Sequence, residues 1–266
     1  MMVIGSATRS GSVKNKIGGS AHGKCDSIRR TAVRHLRAAT AWCFNAIMSV
    51  HTQPASIREA RDRILSEIGE GVQLVAASKR QPDSRIDAAL AAGQRVFGEN
   101  RVQEAAARWT ARKSANPDLE LRLIGPLQTN KAEDAVQLFD VIETLDRPKL
   151  LSALVKAVAK TAVTPPDVLI QVNTGEEPQK GGVLVGDLDA LLTLARETYP
   201  GRITGLMCIP PAAEPAAPHF ALLKRLADAR DLPVISMGMS NDYALAAQLG
   251  ATHVRVGTAL FGARDS

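Results

Sequence analysis

Lys79 directly follows a short apolar run, LVAAS, where a strand is predicted to end. Lys79 lies two residues after Ala77 and four after Val75, so its side chain should point to the same side of the strand as theirs. Burial lowers the pKa of a lysine, and an uncharged amine can attack an aldehyde to form a Schiff base. A solvated lysine at a strand end fits the position equally well, so the position alone leaves both interpretations open.

Arg255 is a second unusual charge, because it lies between Val254 and Val256 in an otherwise apolar run. A guanidinium there needs a partner, since unpaired charges are rarely buried. From the residues alone, we favour an ion pair with an inward carboxylate such as that of Glu99 over a role at a ligand.

Three residues near the end of the chain are candidates for binding phosphate. Gly257 and Thr258 follow the last apolar run, where backbone amides can begin a short helix and bind an anion. Ser240 follows the preceding run, and barrels often bind phosphate between the loops after strands seven and eight. Glycines alone are explained as turn residues, but hydroxyls after both strands favour a phosphate site.

Other chemistry has little support in the sequence. The five histidines form no spaced pair with a carboxylate, so no metal site is predicted. Ser78 and Ser236 lack the setting of a nucleophile elbow, so acyl transfer is not predicted either. The remaining residues that follow apolar runs are Glu99, Asn100, Gln128, Asn130, Lys131, Asn173, Met239 and Asn241.

Eight short apolar runs predict eight strands, and seven Ala- and Leu-rich stretches at helical spacing separate them. A further helix is predicted from Ile57 to Ile68, with Ser56 as N-cap and Gly69 as stop. The predicted strands begin at Val72, Arg95, Leu121, Val141, Val168, Ile203, Val234 and His253.

This alternation predicts an α/β fold, a single (β/α)8 TIM barrel over residues 51–266, with its site at the carboxyl ends of the strands. An open doubly wound sheet is the main alternative. It would usually carry a glycine-rich turn after the first strand, and SKRQPDS is not one.

The basic charge of the chain is concentrated at its start. The formal net charge is +6, but residues 1–47 hold eight Lys or Arg against Asp26 alone, which leaves 25 basic and 26 acidic residues from Met48 onward. The barrel is therefore nearly neutral, and neither nucleic acid nor a membrane is an expected partner. Three cysteines without metal-ligand spacing favour a reduced, cytoplasmic location.

Residues 1–50 are predicted to be a disordered extension, because they are rich in Gly, Ser and Arg and carry little apolar periodicity. Their Arg-rich, acid-poor composition is also that of an organellar transit peptide. We favour a mis-annotated start, with Met48 as the true first residue, over a targeting signal.

Seven motifs in order resemble those of the pyridoxal phosphate homeostasis protein family, whose members adopt the alanine racemase barrel. The motifs are LVAASKRQP, AGQRVFGENRVQE, LIGPLQTNK, VLIQVNTGEEPQKGG, GLMCIP, SMGMSND and THVRVGTALFGAR. The resemblance implies pyridoxal 5′-phosphate (PLP) as cofactor, with Lys79 as the Schiff-base lysine.

The same resemblance assigns the other site residues. Ser240, Gly257 and Thr258 would hold the phosphate, Arg255 would lie beside the pyridine nitrogen, and Asn100 would lie near the ring. This reverses the interpretation of Arg255 drawn from the residues alone. Two positions depart from the family: Pro126 stands where His is usual, and Arg101 replaces a common Tyr.

Three functions were compared: a PLP carrier, a PLP-dependent enzyme such as a racemase, and a phosphate-binding barrel without cofactor. A racemase of this fold adds a β domain and borrows a tyrosine, whereas this chain ends at Ser266 and has only Tyr199 and Tyr243. We therefore expect no catalytic residues but a carrier that buffers PLP and affects amino-acid and keto-acid pools. PLP-dependent apoenzymes are candidate partners, and a monomer is expected.

Overall fold

The computed structural model describes residues 56–263. The predictions of a disordered extension over residues 1–50 and of a start at Met48 lie outside these residues. The first helix has the predicted bounds and a capping box: Glu59 N donates to Ser56 Oγ at 3.2 Å, and Ser56 N donates to the Glu59 carboxylate at 3.1 Å.

Within residues 56–263, nine parallel strands form the sheet, and eight of them close into a barrel. They are β1 (Gln73–Ala77), β2 (Val96–Glu99), β3 (Glu120–Leu123), β4 (Val141–Leu145), β5 (Asp167–Asn173), β6 (Val183–Leu184), β7 (Ile203–Cys208), β8 (Val234–Ser236) and β9 (His253–Val256). The pairings of β1 with β9 and of β4 with β5 complete the ring, which confirms the predicted barrel. The two-residue β6, which pairs with β5 outside the ring, was not predicted.

Helices follow the barrel strands and cover the outside of the ring. They are α1 (Ile57–Ile68), α2 (Asp83–Ala91), α3 (Val102–Ala115), α4 (Ala132–Leu138), α5 (Pro148–Thr161), α6 (Leu188–Thr198), α7 (Ala216–Asp228), α8 (Tyr243–Gln248) and α9 (Thr258–Phe261). Short 3-10 turns precede α4 and α6. The apolar faces of the helices and the outward residues of the strands form one large core.

The inside of the barrel differs from this outer core, because its apolar part is small and its polar part is charged. Val141, Leu169 and Met207 make a separate buried cluster. Arg122 and Glu143 are buried in the same interior and bond to each other, with Arg122 Nε at 2.5 Å from Glu143 Oε1. The ring therefore surrounds a charged centre, which lies beneath the mouth where the candidate residues meet.

Candidate functional site

A cavity of about 620 Å³ opens at the carboxyl ends of the strands, and all six predicted site residues line it. They are Lys79, Asn100, Ser240, Arg255, Gly257 and Thr258. Met239 and Asn241, also noted from the sequence, line it as well. Residues more than 170 positions apart in the chain are thus brought together at one mouth, as the barrel topology predicts.

Lys79 lies in a tight turn just beyond the end of β1, and its side chain is half-buried at the cavity wall. Gln81 N donates to Ser78 O at 3.1 Å and closes the turn around Lys79 and Arg80. Val75 and Ala77, which share the parity of Lys79, are buried, and Ala77 also lines the cavity. The predicted inward direction of the lysine agrees with this arrangement.

Asn100 follows β2 and presents a buried polar atom for which the described residues offer no hydrogen-bond partner, its Oδ1. The backbone behind it is crowded: a Cβ at Gly125 would lie 2.3 Å from Asn100 O, so glycine is required there. The two departures from the family pattern, Arg101 and Pro126, are both exposed and neither lines the main cavity. An unpartnered buried amide oxygen beside the lysine fits a polar ligand in the cavity.

The predicted phosphate residues meet between β8 and β9. Ser240 Oγ accepts hydrogen bonds from Gly257 N and Ala259 N, each at 3.2 Å, at the start of α9. The amides therefore converge on an oxygen at the cavity edge, while the Ser240 hydroxyl keeps its own proton to donate. Thr258 is exposed at the same edge. Converging amides and hydroxyls are donors that suit a phosphate dianion.

Arg255 is buried beneath the cavity and donates to acceptors on β8 and on β7, the next strand along the ring. Its Nη1 donates to Ser236 Oγ at 2.7 Å, and its Nη2 donates to Cys208 O at 2.8 Å. Its nearest carboxylate is that of Glu143, with Nη1 at 3.8 Å from Oε2. The inward carboxylate expected from the residues alone exists, but it belongs to β4.

Glu99 was the wrong candidate for that pair because it faces out of the barrel. Its Oε1 accepts from Trp109 Nε1 at 2.9 Å on α3, the layer against which Phe97 also packs. Phe97 and Glu99 have the same strand parity, so both point to the helices. Glu99 is nevertheless fully buried.

The charged centre keeps Glu143 ionised. Burial by itself would raise the pKa of Glu143, but the guanidinium groups of Arg122 and Arg255 lower it below its ordinary value. His253, in the same interior, has its pKa lowered to about 4 by burial and by the charge of Arg122. Arg255 therefore lies near an ionised Glu143, and the histidine on its own strand is neutral.

Several lining residues were missed because they lie in the loops after β5 and β7, where no local pattern marks them as site residues. Lys180 lies between β5 and β6, with Nζ 2.7 Å from Glu177 Oε2 and 3.2 Å from Pro210 O. The further lining residues from the loop after β7 are Ile209, Pro210, Pro211, Ala212 and Glu214. The QKGG part of a family motif was the only signal for Lys180. Conversely, Gln128, Asn130, Lys131 and Asn173 follow strands but do not line this cavity.

The described residues contain no group of three or more His, Cys, Asp or Glu side chains that could hold a metal ion. Between residues 56 and 263, no helix is both long and apolar enough to cross a membrane. Cys208 carries a free, buried thiol, and burial raises its pKa to about 12.

Comparison with known proteins gives the family. The profile of the alanine racemase N-terminal domain matches residues 55–265. The pyridoxal phosphate homeostasis protein of Aquifex aeolicus is 40% identical over 201 residues, which cover 72% of this chain and 87% of that protein. The chain belongs to the pyridoxal phosphate homeostasis protein family.

Two further relatives agree with this family membership. The pyridoxal phosphate homeostasis protein of Pseudomonas aeruginosa is 42% identical over 200 residues, covering 73% of this chain and 85% of that protein. The solved structure of PipY from Synechococcus elongatus with PLP bound is 39% identical, with a TM-score of 0.71, and covers 78% of this chain and 100% of PipY. The resemblance inferred from the seven motifs is confirmed, as is the barrel.

Proposed function

We propose that this protein binds PLP reversibly in the cavity and serves in intracellular PLP homeostasis as a carrier without catalytic turnover, with effects on amino-acid and keto-acid pools. The observation that carries the proposal is the set of six residues, separately assigned from family motifs, that line one cavity. The relatives bear the name of homeostasis proteins, and PipY has been solved with PLP bound.

The cavity offers a matching group for each part of the cofactor. Lys79 would make the covalent attachment, while Ser240, Thr258 and Gly257, whose amide donates to Ser240 Oγ, would hold the phosphate beside the ends of the adjacent strands β8 and β9. When bound, PLP supplies an aldehyde whose carbon bonds to an amine nitrogen, the oxygen leaving as water with the two amine hydrogens. The buried, unpartnered Oδ1 of Asn100 fits a polar neighbour in the cavity.

Arg255 would face the pyridine nitrogen, and its charge bears on catalysis. A guanidinium stays protonated, so it donates hydrogen bonds but does not transfer a proton to the ring nitrogen. Two of its donors are already directed at Ser236 Oγ and Cys208 O, which holds the group in place. The ring would therefore remain a weak electron sink, which suits storage better than amino-acid chemistry.

The racemase alternative requires a second acid–base group, and the tyrosines are engaged elsewhere. The Tyr199 hydroxyl donates to Pro166 O at 2.7 Å, and the Tyr243 hydroxyl bonds to Glu67. Neither lines the cavity. Both features support a carrier over a two-base racemase.

Absorption spectroscopy of the full chain tests the proposal. Added PLP should give an imine band that disappears in Lys79→Ala, and incubation of the loaded protein with L-alanine or D-alanine should leave enantiomeric purity unchanged. Absence of the band would refute PLP binding through Lys79. Racemisation faster than that by free PLP would refute the non-catalytic part.

We further propose that the protein is a cytoplasmic monomer that passes PLP to apoenzymes. The free thiol of Cys208 is compatible with a reducing compartment. Sedimentation would test the monomer. Reactivation of a PLP-dependent apoenzyme by the loaded protein, compared with free PLP in the presence of a phosphatase, would test direct transfer.

A further inference from the structure

We propose that Glu99 is a positioning residue for Lys79: from the outer face of the barrel, it holds the strained turn that presents the lysine to the cavity. The inference rests on the proposed function, because it concerns how Lys79 reaches an aldehyde. It adds a residue that lies outside the cavity and that no family assignment above includes.

The turn that carries Lys79 has an unfavourable backbone conformation. Arg80, the residue after the lysine, has a φ of 56°, in the left-handed region that side-chain-bearing residues rarely adopt. Such a conformation persists only where the surrounding structure enforces it. The Gln81 N to Ser78 O hydrogen bond closes the turn, so Ser78 is the point at which it can be held.

The Glu99 carboxylate holds Ser78 directly. Ser78 Oγ donates to Glu99 Oε1 at 2.7 Å, in a setting where both residues are fully buried. The same oxygen accepts from Trp109 Nε1 at 2.9 Å and from Arg108 Nη1 at 3.3 Å. Glu99 is thereby fixed to α3 on one side and to the turn on the other.

Arg108 makes a second connection to the same turn. Its Nη1 donates to Ser78 O at 3.2 Å, which is the carbonyl that also accepts from Gln81 N. One guanidinium therefore contacts both the carboxylate and the carbonyl on which the turn depends. Loss of the Glu99 charge would weaken the hold on Arg108 as well as on the Ser78 hydroxyl.

Strand geometry converts this outer anchor into an effect inside the cavity. Ser78 and Glu99 point outward on neighbouring strands and bond to each other, whereas the residues that follow them, Lys79 and Asn100, both line the cavity. One planar peptide unit joins each outer residue to its inner neighbour, so a shift of the outer residue moves the inner one. The outer bond therefore sets the relative position of the two inner side chains.

Two variants separate this role from general support of the fold. Glu99→Gln keeps the shape and an acceptor oxygen but removes the charge, and Ser78→Ala removes the link between the carboxylate and the turn together with a longer contact of Ser78 Oγ, 3.3 Å from Gly98 O. We expect each to slow covalent capture of PLP by about tenfold, since small misplacements of a reacting group have effects of this order. The rate would be followed as a function of pH by the imine absorbance.

Pyridoxine 5′-phosphate provides the discriminating measurement. It keeps the ring and the phosphate but has an alcohol in place of the aldehyde, so Lys79 makes no covalent bond with it. Its affinity should be unchanged in both variants. The matched control is Glu133→Gln, which removes an exposed carboxylate paired with Lys160 on the outer helices and should leave capture unaffected.

Rescue tests the strain directly. Arg80→Gly, added to either variant, should restore most of the lost capture rate, because glycine adopts a positive φ without steric cost. A structural defect elsewhere would not be repaired by this change. If Glu99→Gln fails to fold, Ser78→Ala with and without Arg80→Gly decides the question.

The proposal is overturned if Ser78→Ala captures PLP at the unaltered rate, or if pyridoxine 5′-phosphate affinity falls as much as the capture rate. Failure of the unaltered chain to capture PLP would instead refute the proposed function, and this inference with it. The two failures are therefore distinguishable.

Discussion

On the β1 and β2 side of the mouth, buried side chains bond to the turn that carries Lys79, whereas on the β8 and β9 side backbone amides bond to a serine hydroxyl at the edge of the cavity. On the first side, Glu99 Oε1 accepts hydrogen bonds from both Ser78 Oγ and Trp109 Nε1. On the second, Gly257 N and Ala259 N converge on Ser240 Oγ. Covalent chemistry demands one atom at one place, whereas an anion accepts several donors.

The largest expected effect is that of Lys79→Ala, which removes the reacting atom from the first side alone. Covalent capture should vanish, while the predicted phosphate-binding residues after β8 and β9 should retain part of the affinity. Borohydride reduction followed by mass spectrometry measures the permanent adduct. Labelling of the variant to the same extent would show that another lysine, such as Lys131 or Lys180, carries the cofactor.

Removing the hydroxyls of the second side should weaken phosphate binding selectively. Ser240→Ala with Thr258→Val should reduce affinity for PLP far more than for pyridoxal, because each charge-assisted bond contributes about 1.5 to 3 kcal/mol. Parallel titrations with the two ligands measure the difference. Equal weakening for both ligands would mean that these hydroxyls do not meet the phosphate.

A third change acts beneath both sides, at the carboxylate that neighbours Arg255. Glu143→Gln should destabilise the fold by about 3 kcal/mol at neutral pH, because it removes the carboxylate near the buried Arg255 and leaves Arg122 paired with Glu120 alone. Urea unfolding at pH 7 measures the loss. A stability equal to that of the unaltered chain would show that the charged centre is easily repacked.

The sign of the pH dependence follows from the lowered pKa of Glu143. Its stabilising contribution is present above its ordinary value of 4.5 and is lost as pH falls through the lower folded value. The stability gap between the unaltered chain and Glu143→Gln should therefore narrow in acid. His253, with a pKa of about 4 against an ordinary 6.5, makes both proteins lose stability as pH falls between these values.

The smallest expected effect is that of deleting residues 1–47. The sequence of this segment has little apolar periodicity with which to join a core. Melting temperature and PLP affinity should be unchanged. A drop of many degrees in the shortened chain would make the segment structural.

Much of the fold was predictable because helix caps and strand runs are set by residues that are close together in the sequence. The Ser56 cap and the bounds of α1 follow from a capping box and a glycine stop. Each predicted strand run overlaps an observed barrel strand, since β-branched runs between helical stretches leave few other topologies. The two residues of β6 carry no such pattern.

The site was predictable where polar residues follow the strands within a few positions. Lys79 and Ser240 occupy such positions, and barrel topology brings their ends to one mouth. Lys180 and Glu214 were missed because they reach the cavity along loops whose paths no local pattern specifies. Position suggested the Schiff-base lysine and the phosphate residues, the family motifs assigned the roles of the six predicted residues, and these roles stay predictions until the variants above are measured.

The sequence by itself determined the barrel, the order of its strands and the membership of a family whose motifs are spread along the chain. Tertiary structure alone decided which charges meet. Arg255 lies near Glu143 instead of Glu99 because alternation along β2 turns Glu99 outward, with Phe97, towards Trp109. Spacing along the chain gives the parity of a side chain, but its partner depends on which strands bring an inward residue to the same depth, and here β4 does so from across the barrel.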